Sequence, residues 1–147
     1  MRGQVFFELI GPLIFLAFAL GFLEIRRHMP HLVSAGFIAL SYSLRSAGFT
    51  ADYFRPLMQP DIAIYATVVP FLAAGLAFCA GVLQLFRVRV PWRILSAIGL
   101  VVLAMVSWFR FVDESVVARV IILNATSAAA LIYLALAMRR RIKRRVD

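Results

Sequence analysis

The residues able to do chemistry in this 147-residue chain are few, and they gather at the ends of apolar runs. Arg45, Arg110, Asp113 and Arg119 each stand within about two helical turns of such an end, taking 3.6 residues per turn. Glu8, Asp61 and Glu114 occupy comparable positions, with Asp52 and Arg55 in the connector beyond them. Ionisable groups at that depth in an apolar medium are costly unless they are paired or wet. One reading is that they snorkel outward or form interfacial ion pairs that fix the helix ends. The other is a polar pocket in which Arg45, Arg110, Asp113 and Arg119 meet a small anionic or hydrogen-bonding ligand. In that reading Glu8, Asp61, Glu114 and Thr126 form the supporting polar layer. Arg119 shares a helical face with Ile122, Leu123 and Thr126, so its stripe continues inward with one hydroxyl. Asn124 lies off that stripe and reads as an interhelical hydrogen-bond donor.

Other chemistry is thin. There is no phosphate-cradling glycine loop, no His-Glu-x-x-His and no nucleophile elbow, so no catalytic residue is assigned. His28 and His31 are separated by Pro30 and have no third histidine to join them, which favours an interfacial loop over a metal site. Cys79 is the one cysteine and lies inside an apolar run, so it reads as packing and excludes an intrachain disulfide. No metal and no cofactor is expected.

The elements that must position these residues follow from composition. Of the chain, 63% is apolar and 16% charged, with a mean hydropathy of +0.92. Soluble chains carry roughly 25% charged residues and about 45–50% apolar ones. The excess is too large for a core of this size, and lipid must cover it. The net charge of +9 would suit nucleic acid. Here, however, the cations flank apolar runs and make no face of a soluble fold, so nucleic acid is not an expected partner.

Five apolar stretches, 5–23, 32–49, 62–86, 94–112 and 116–138, predict an all-α integral membrane protein, a bundle of five transmembrane helices. The first is too long for a signal peptide and lacks a small-x-small cleavage site, so it is expected to be retained. Pro12 can kink helix one and Pro70 helix three. Ala73, Ala74, Gly75, Ala77, Ala80 and Gly81 would let helix three pack closely. Tyr42, Tyr53, Tyr65, Trp92 and Trp108 read as interfacial belt residues. The connector 50–61, with two prolines and mixed charge, reads as an ordered cap. Residues 1–138 form the membrane domain, and 139–147 a basic tail or linker.

Cations decide the sidedness. The cluster Arg139, Arg140, Arg141, Lys143, Arg144 and Arg145 follows the last apolar run and anchors it at the cytoplasmic face, in contact with anionic lipid. Counting crossings back puts Arg26, Arg27, Arg87, Arg89 and Arg93 on the same side. Arg2, Arg45, Arg55, Arg110 and Arg119 fall on the other, balanced there by acids. The whole net charge of +9 therefore lies on one side, which predicts N-terminus out and C-terminus in.

This layout carries a resemblance. A first helix ends in Glu24-Ile25-Arg26-Arg27, a second in Leu44-Arg45, and a long third in Leu85-Phe86-Arg87. A fourth ends in aromatics before Asp113, and a fifth carries Arg119 early and ends in Arg139-Arg140-Arg141. The order resembles the membrane-embedded N-terminal sensory region of bacterial GGDEF-type diguanylate cyclases. The resemblance implies a multi-pass protein of the bacterial inner membrane, likewise a homodimer, that perceives a signal at its outer face. It would regulate a cytoplasmic output, in cis or in trans, that makes cyclic di-GMP. The GG[DE]EF signature is absent from these residues, so the cyclase activity is not carried over. The ending at a basic tail suggests an excised sensory region or a stand-alone small protein. Two other functions stand beside this one: a membrane scaffold binding a partner through helix three, and a minimal transporter or lipid-handling protein.

Overall fold

A computed structural model describes the backbone of residues 2–112 and 116–146, and the side chains of 10–112, 117, 118, 120–136 and 139. Five α-helices and one 3-10 turn make up the described chain, and it contains no strand. The helices are α1 (Arg2–His28), α2 (Val33–Tyr53), α3 (Pro60–Leu85), α4 (Trp92–Phe111) and α5 (Val116–Val146). The 3-10 turn, Arg55–Leu57, joins α2 to α3, as expected of an ordered connector.

Helix number and order agree with the hydropathy pattern, but the ends do not. Helix α1 continues through Glu24–Arg27 to His28, because charged side chains are good helix formers and Arg26, Arg27 and His28 suit the negative end of the helix dipole. Pro30 then restricts Met29 and ends the helix. Helix α2 passes Phe49 and closes at Tyr53, where the Phe54 N–H caps the Thr50 carbonyl. Helix α3 opens on Pro60, whose missing N–H costs nothing at a first helical position, with Asp61 in the first turn. Helix α5 runs on through the arginine cluster, so the expected tail is helical to Val146.

Two helices, α3 and α4, are long and apolar enough to cross a membrane, with mean hydropathies of 2.1 and 2.0 over their best windows. In α5 the described apolar segment is the shorter Val120–Leu136. Five spans were expected. Helix α2 falls short because Ser41, Tyr42, Ser43, Arg45 and Ser46 interrupt its apolar run, and the part of α1 whose side chains are described, 10–28, includes Glu24, Arg26 and Arg27.

The chain divides into two compact units, Met1–Gly81 and Val82–Asp147. In the first, α1 and α2 run antiparallel along one another. Phe22 meets Tyr42 near one end and Phe15 meets Phe49 near the other. The first part of α3 lies antiparallel to α2 in turn, with Gly81 against Ile38 and Phe71 against Phe49. Gly48 and Gly81 permit these approaches. A Cβ on Gly81 would come within 2.9 Å of the Ile38 side chain, and one on Gly48 within 3.0 Å of the Phe71 ring.

In the second unit, Leu95, Gly99, Val102 and Val106 are the buried residues of α4 and fall on a single stripe. Leu134 is the matching buried side chain of α5, which packs on α4. Before this unit's helices comes a sharp stop to α3. Val88 N–H reaches the Leu83 carbonyl and Arg87 N–H the Gln84 carbonyl, with Arg87 left-handed at φ 54°. That is a Schellman ending with an arginine where glycine is usual.

Candidate functional site

The site is built on a seven-residue spacing shared by three helices. Phe15 and Phe22 on α1, Tyr42 and Phe49 on α2, and Phe71 and Phe78 on α3 are each seven apart, two turns along one face. Phe18 adds a third ring position on α1. The rings interleave: Tyr42 stacks with Phe15, Phe18 and Phe22 at centroid distances of 6.0, 5.4 and 5.8 Å. Phe49 stacks on Phe15 at 5.3 Å and meets the edge of Phe71 at 4.9 Å. Such pairs each contribute about 0.5–1.5 kcal/mol beyond their area. Tyr42 is thus a rung of an internal ladder and not the belt residue its type suggested.

Arg45 sits on the same face of α2, one turn beyond Tyr42. Its guanidinium carbon lies 6.0 Å from the centre of the Phe15 ring and 5.8 Å from that of Phe78. Each contact contributes about 0.5–2 kcal/mol, more as water is excluded. Arg45 is half-buried, and among the described residues no carboxylate pairs with it. One turn back, the Ser41 hydroxyl is fully buried and has no hydrogen-bond partner.

The neighbouring hydroxyls are already engaged. Ser46 donates to the carbonyl of Pro12 across the α1–α2 contact at 2.9 Å, and Thr50 donates to the Ser46 carbonyl at 2.8 Å.

The other expected site residues fall elsewhere. Arg110 belongs to the second unit, in the last turn of α4. Asp113 and Glu114, and the side chains of Glu8 and Arg119, lie outside the described residues. Asp61 is exposed in the first turn of α3. Thr126 donates to the Ile122 carbonyl of its own helix at 2.7 Å. Asn124, expected to bond across helices, instead donates to the Val120 carbonyl at 2.9 Å. Ser127 does the same to Leu123, because back-bonding satisfies a hydroxyl without a second helix.

Of the basic anchor, Arg139 is exposed, while the side chains of Arg140, Arg141, Lys143, Arg144 and Arg145 lie outside the described residues. Two exposed contacts stand near helix ends: a hydrogen bond between Glu24 and His28 at 2.9 Å, and an ion pair of Asp52 with Arg55 at 3.8 Å. His28 is the last residue of α1 and not part of a loop, and no group of metal-ligating side chains occurs among the described residues.

Sequence reasoning singled out Arg45 and missed what surrounds it. The signal was present in the repeated spacing of aromatics, which Phe15/Phe22, Tyr42/Phe49 and Phe71/Phe78 share. Comparison of the chain with protein-family models, curated proteins and solved structures returned no match.

Proposed function

We propose that the chain is a membrane-embedded sensory domain, crossing the bacterial inner membrane five times with its N-terminus out and its C-terminus in. It perceives a signal through its arginines and passes it to a cytoplasmic output, of the diguanylate cyclase kind that the layout resembles. The observation that carries the reading is the length of α5, 31 residues from Val116 to Val146 without a break. At 1.5 Å per residue that is about 46 Å, against a hydrocarbon core of about 30 Å. A helix of that length joins the end bearing Arg119 to the cationic end beyond the apolar run, and motion at one end is felt at the other. Signalling by such a rod requires a ligand that binds two helix arrangements unequally, since only differential affinity shifts a conformational equilibrium. A second copy of the chain is the natural partner in a regulated output that joins two GTP molecules.

The scaffold alternative asks helix three to offer its small residues to another protein. Ala74, Ala77, Ala80 and Gly81 are already buried within the chain, which weakens it. The transporter alternative needs a polar path at mid-depth. Thr126 and Ser127 satisfy themselves on their own helix, which weakens that one too.

The test fuses the chain to a diguanylate cyclase domain after Asp147 and follows cyclic di-GMP in cells. Arg45→Ala, Arg110→Ala and Arg119→Ala are each expected to change the basal output or its response several-fold. Output identical to the unmodified fusion in all three would sink the sensory reading. Single-cysteine labelling in a Cys79→Ser background tests the topology: positions 29 and 89 should be protected from an impermeant reagent in intact cells, and position 57 labelled.

A further inference from the structure

We infer that Arg45 and Ser41 together bind an oxyanion, a carboxylate or a phosphate, between α1, α2 and α3. The inference deepens the sensory reading and rests on it for its consequence, since it names the class of ligand sensed.

The argument begins with unsatisfied donors. A guanidinium carries five N–H donors in one plane and accepts nothing. The contacts of Arg45 with the Phe15 and Phe78 rings engage its charge, but a ring face does not replace directed acceptors for those N–H groups. Ser41 adds a hydroxyl that is fully buried and unpartnered, a state costing about 1–3 kcal/mol. The two residues are four apart on α2, and a helical side chain leans toward the N-terminus. The stem of Arg45 therefore leans over the turn that carries Ser41.

No hydrogen bond joins either residue to the nearby hydroxyls. Ser46 and Thr50 are bound to backbone carbonyls, and no carboxylate among the described residues pairs with Arg45. What is missing is an acceptor, and because the guanidinium is permanently charged, the acceptor that fits is an anion. Carboxylate and phosphate oxygens match the guanidinium fork in a bidentate geometry. The rings of Phe15, Tyr42 and Phe78 suit an apolar body behind the charged head. A cationic ligand would be repelled, and a purely apolar one would leave every donor unmet.

Binding can be measured on the full chain in uncharged maltoside micelles. Heat unfolding is read with a thiol-reactive dye at Cys79, the single cysteine and a buried one. The probes are inorganic phosphate, benzoate and phosphatidylglycerol, with diacylglycerol as the uncharged control. A saturable rise in Tm is expected with at least one oxyanion probe and none with diacylglycerol. A response to phosphate or benzoate identifies a soluble ligand; a response to phosphatidylglycerol alone identifies a lipid headgroup.

Arg45→Gln should raise the half-saturating concentration by about tenfold or more, in keeping with loss of a charge-assisted pair, and Arg45→Lys should fall between. Ser41→Ala should weaken binding several-fold while leaving the probe-free Tm equal or higher, because it removes a buried unmet hydroxyl. No saturable rise with any oxyanion probe, or an equal response in Arg45→Gln, overturns the inference. Should Arg45→Gln not fold, an undiminished response in Ser41→Ala overturns it. Lost binding in Arg45→Gln with an unchanged fused output would leave the site standing and remove its sensory role. An output that depends on Arg110 and Arg119 in a chain that binds no probe would do the reverse.

Discussion

Helices α1, α2 and the first part of α3 meet along rings, a hydroxyl and buried glycines, whereas α4 meets α5 along an aliphatic stripe. In the first unit Tyr42, Arg45, Ser46 and Gly48 all face a partner helix. In the second, Leu95, Val102, Val106 and Leu134 are buried, while Ile94, Leu100, Val101, Ile121 and Ile132 are more than half exposed. Oriented contacts between rings and hydroxyls select one register, because a shift of one residue breaks each of them. An aliphatic stripe gains only close packing, and in lipid even the hydrophobic drive between helices is absent. The first unit is thus fitted to hold a site, and the second to present apolar surface and carry a long helix.

The largest expected effect lies in the second unit. Leu134→Ala should lower unfolding free energy by about 2–5 kcal/mol, since it opens a cavity at the one buried large side chain described in α5. Leu100→Ala, at an exposed position on α4, should change it by less than about 0.5 kcal/mol. Unfolding by SDS in mixed micelles measures both, and equal losses would abolish the distinction between buried stripe and exposed face.

Next comes Gly81→Ala in the first unit. The new methyl meets Ile38 at 2.9 Å and its backbone nitrogen at 3.2 Å, so the loss should be about 1–3 kcal/mol despite better helix propensity. Gly75→Ala, with nothing within 4 Å, should instead gain up to about 1 kcal/mol. A gain at both positions would show that α2 and α3 are not in close contact there.

Arg87→Gly should raise stability by about 1 kcal/mol, because it removes a Cβ from a left-handed backbone position while leaving the two capping hydrogen bonds in place. A lower Tm for this variant would mean that the arginine side chain contributes more than its strain costs. The smallest effect is expected at Gly36→Ala. Its methyl displaces the flexible end of Arg26, which lies across α2 at that point, so the change should stay within about 0.5 kcal/mol. A loss above 2 kcal/mol would make Arg26 a fixed clamp between α1 and α2.

Much of the architecture was legible beforehand. Five helices in the expected order and the ordered connector follow from where apolar residues run and stop. The helix ends were misread at Glu24–His28 and at 139–146 for one reason. Hydropathy ends an element at its first charge, whereas arginine, lysine and glutamate propagate a helix as well as leucine does. Asn124 shows a second limit: a polar side chain in an apolar helix announces a need for a partner but not which one, and its own backbone sufficed.

The amino-acid order by itself determined what the chain is made of: five helical segments, a basic end, and an arginine in an apolar run that requires company. Only the tertiary structure decided which company. Seven-residue spacing puts Phe15, Phe49 and Phe78 on helix faces, but bringing those faces to Arg45 depends on helix pairing and register. Those are set by contacts between residues far apart in the chain, such as Ser46 with Pro12, and no local pattern encodes them.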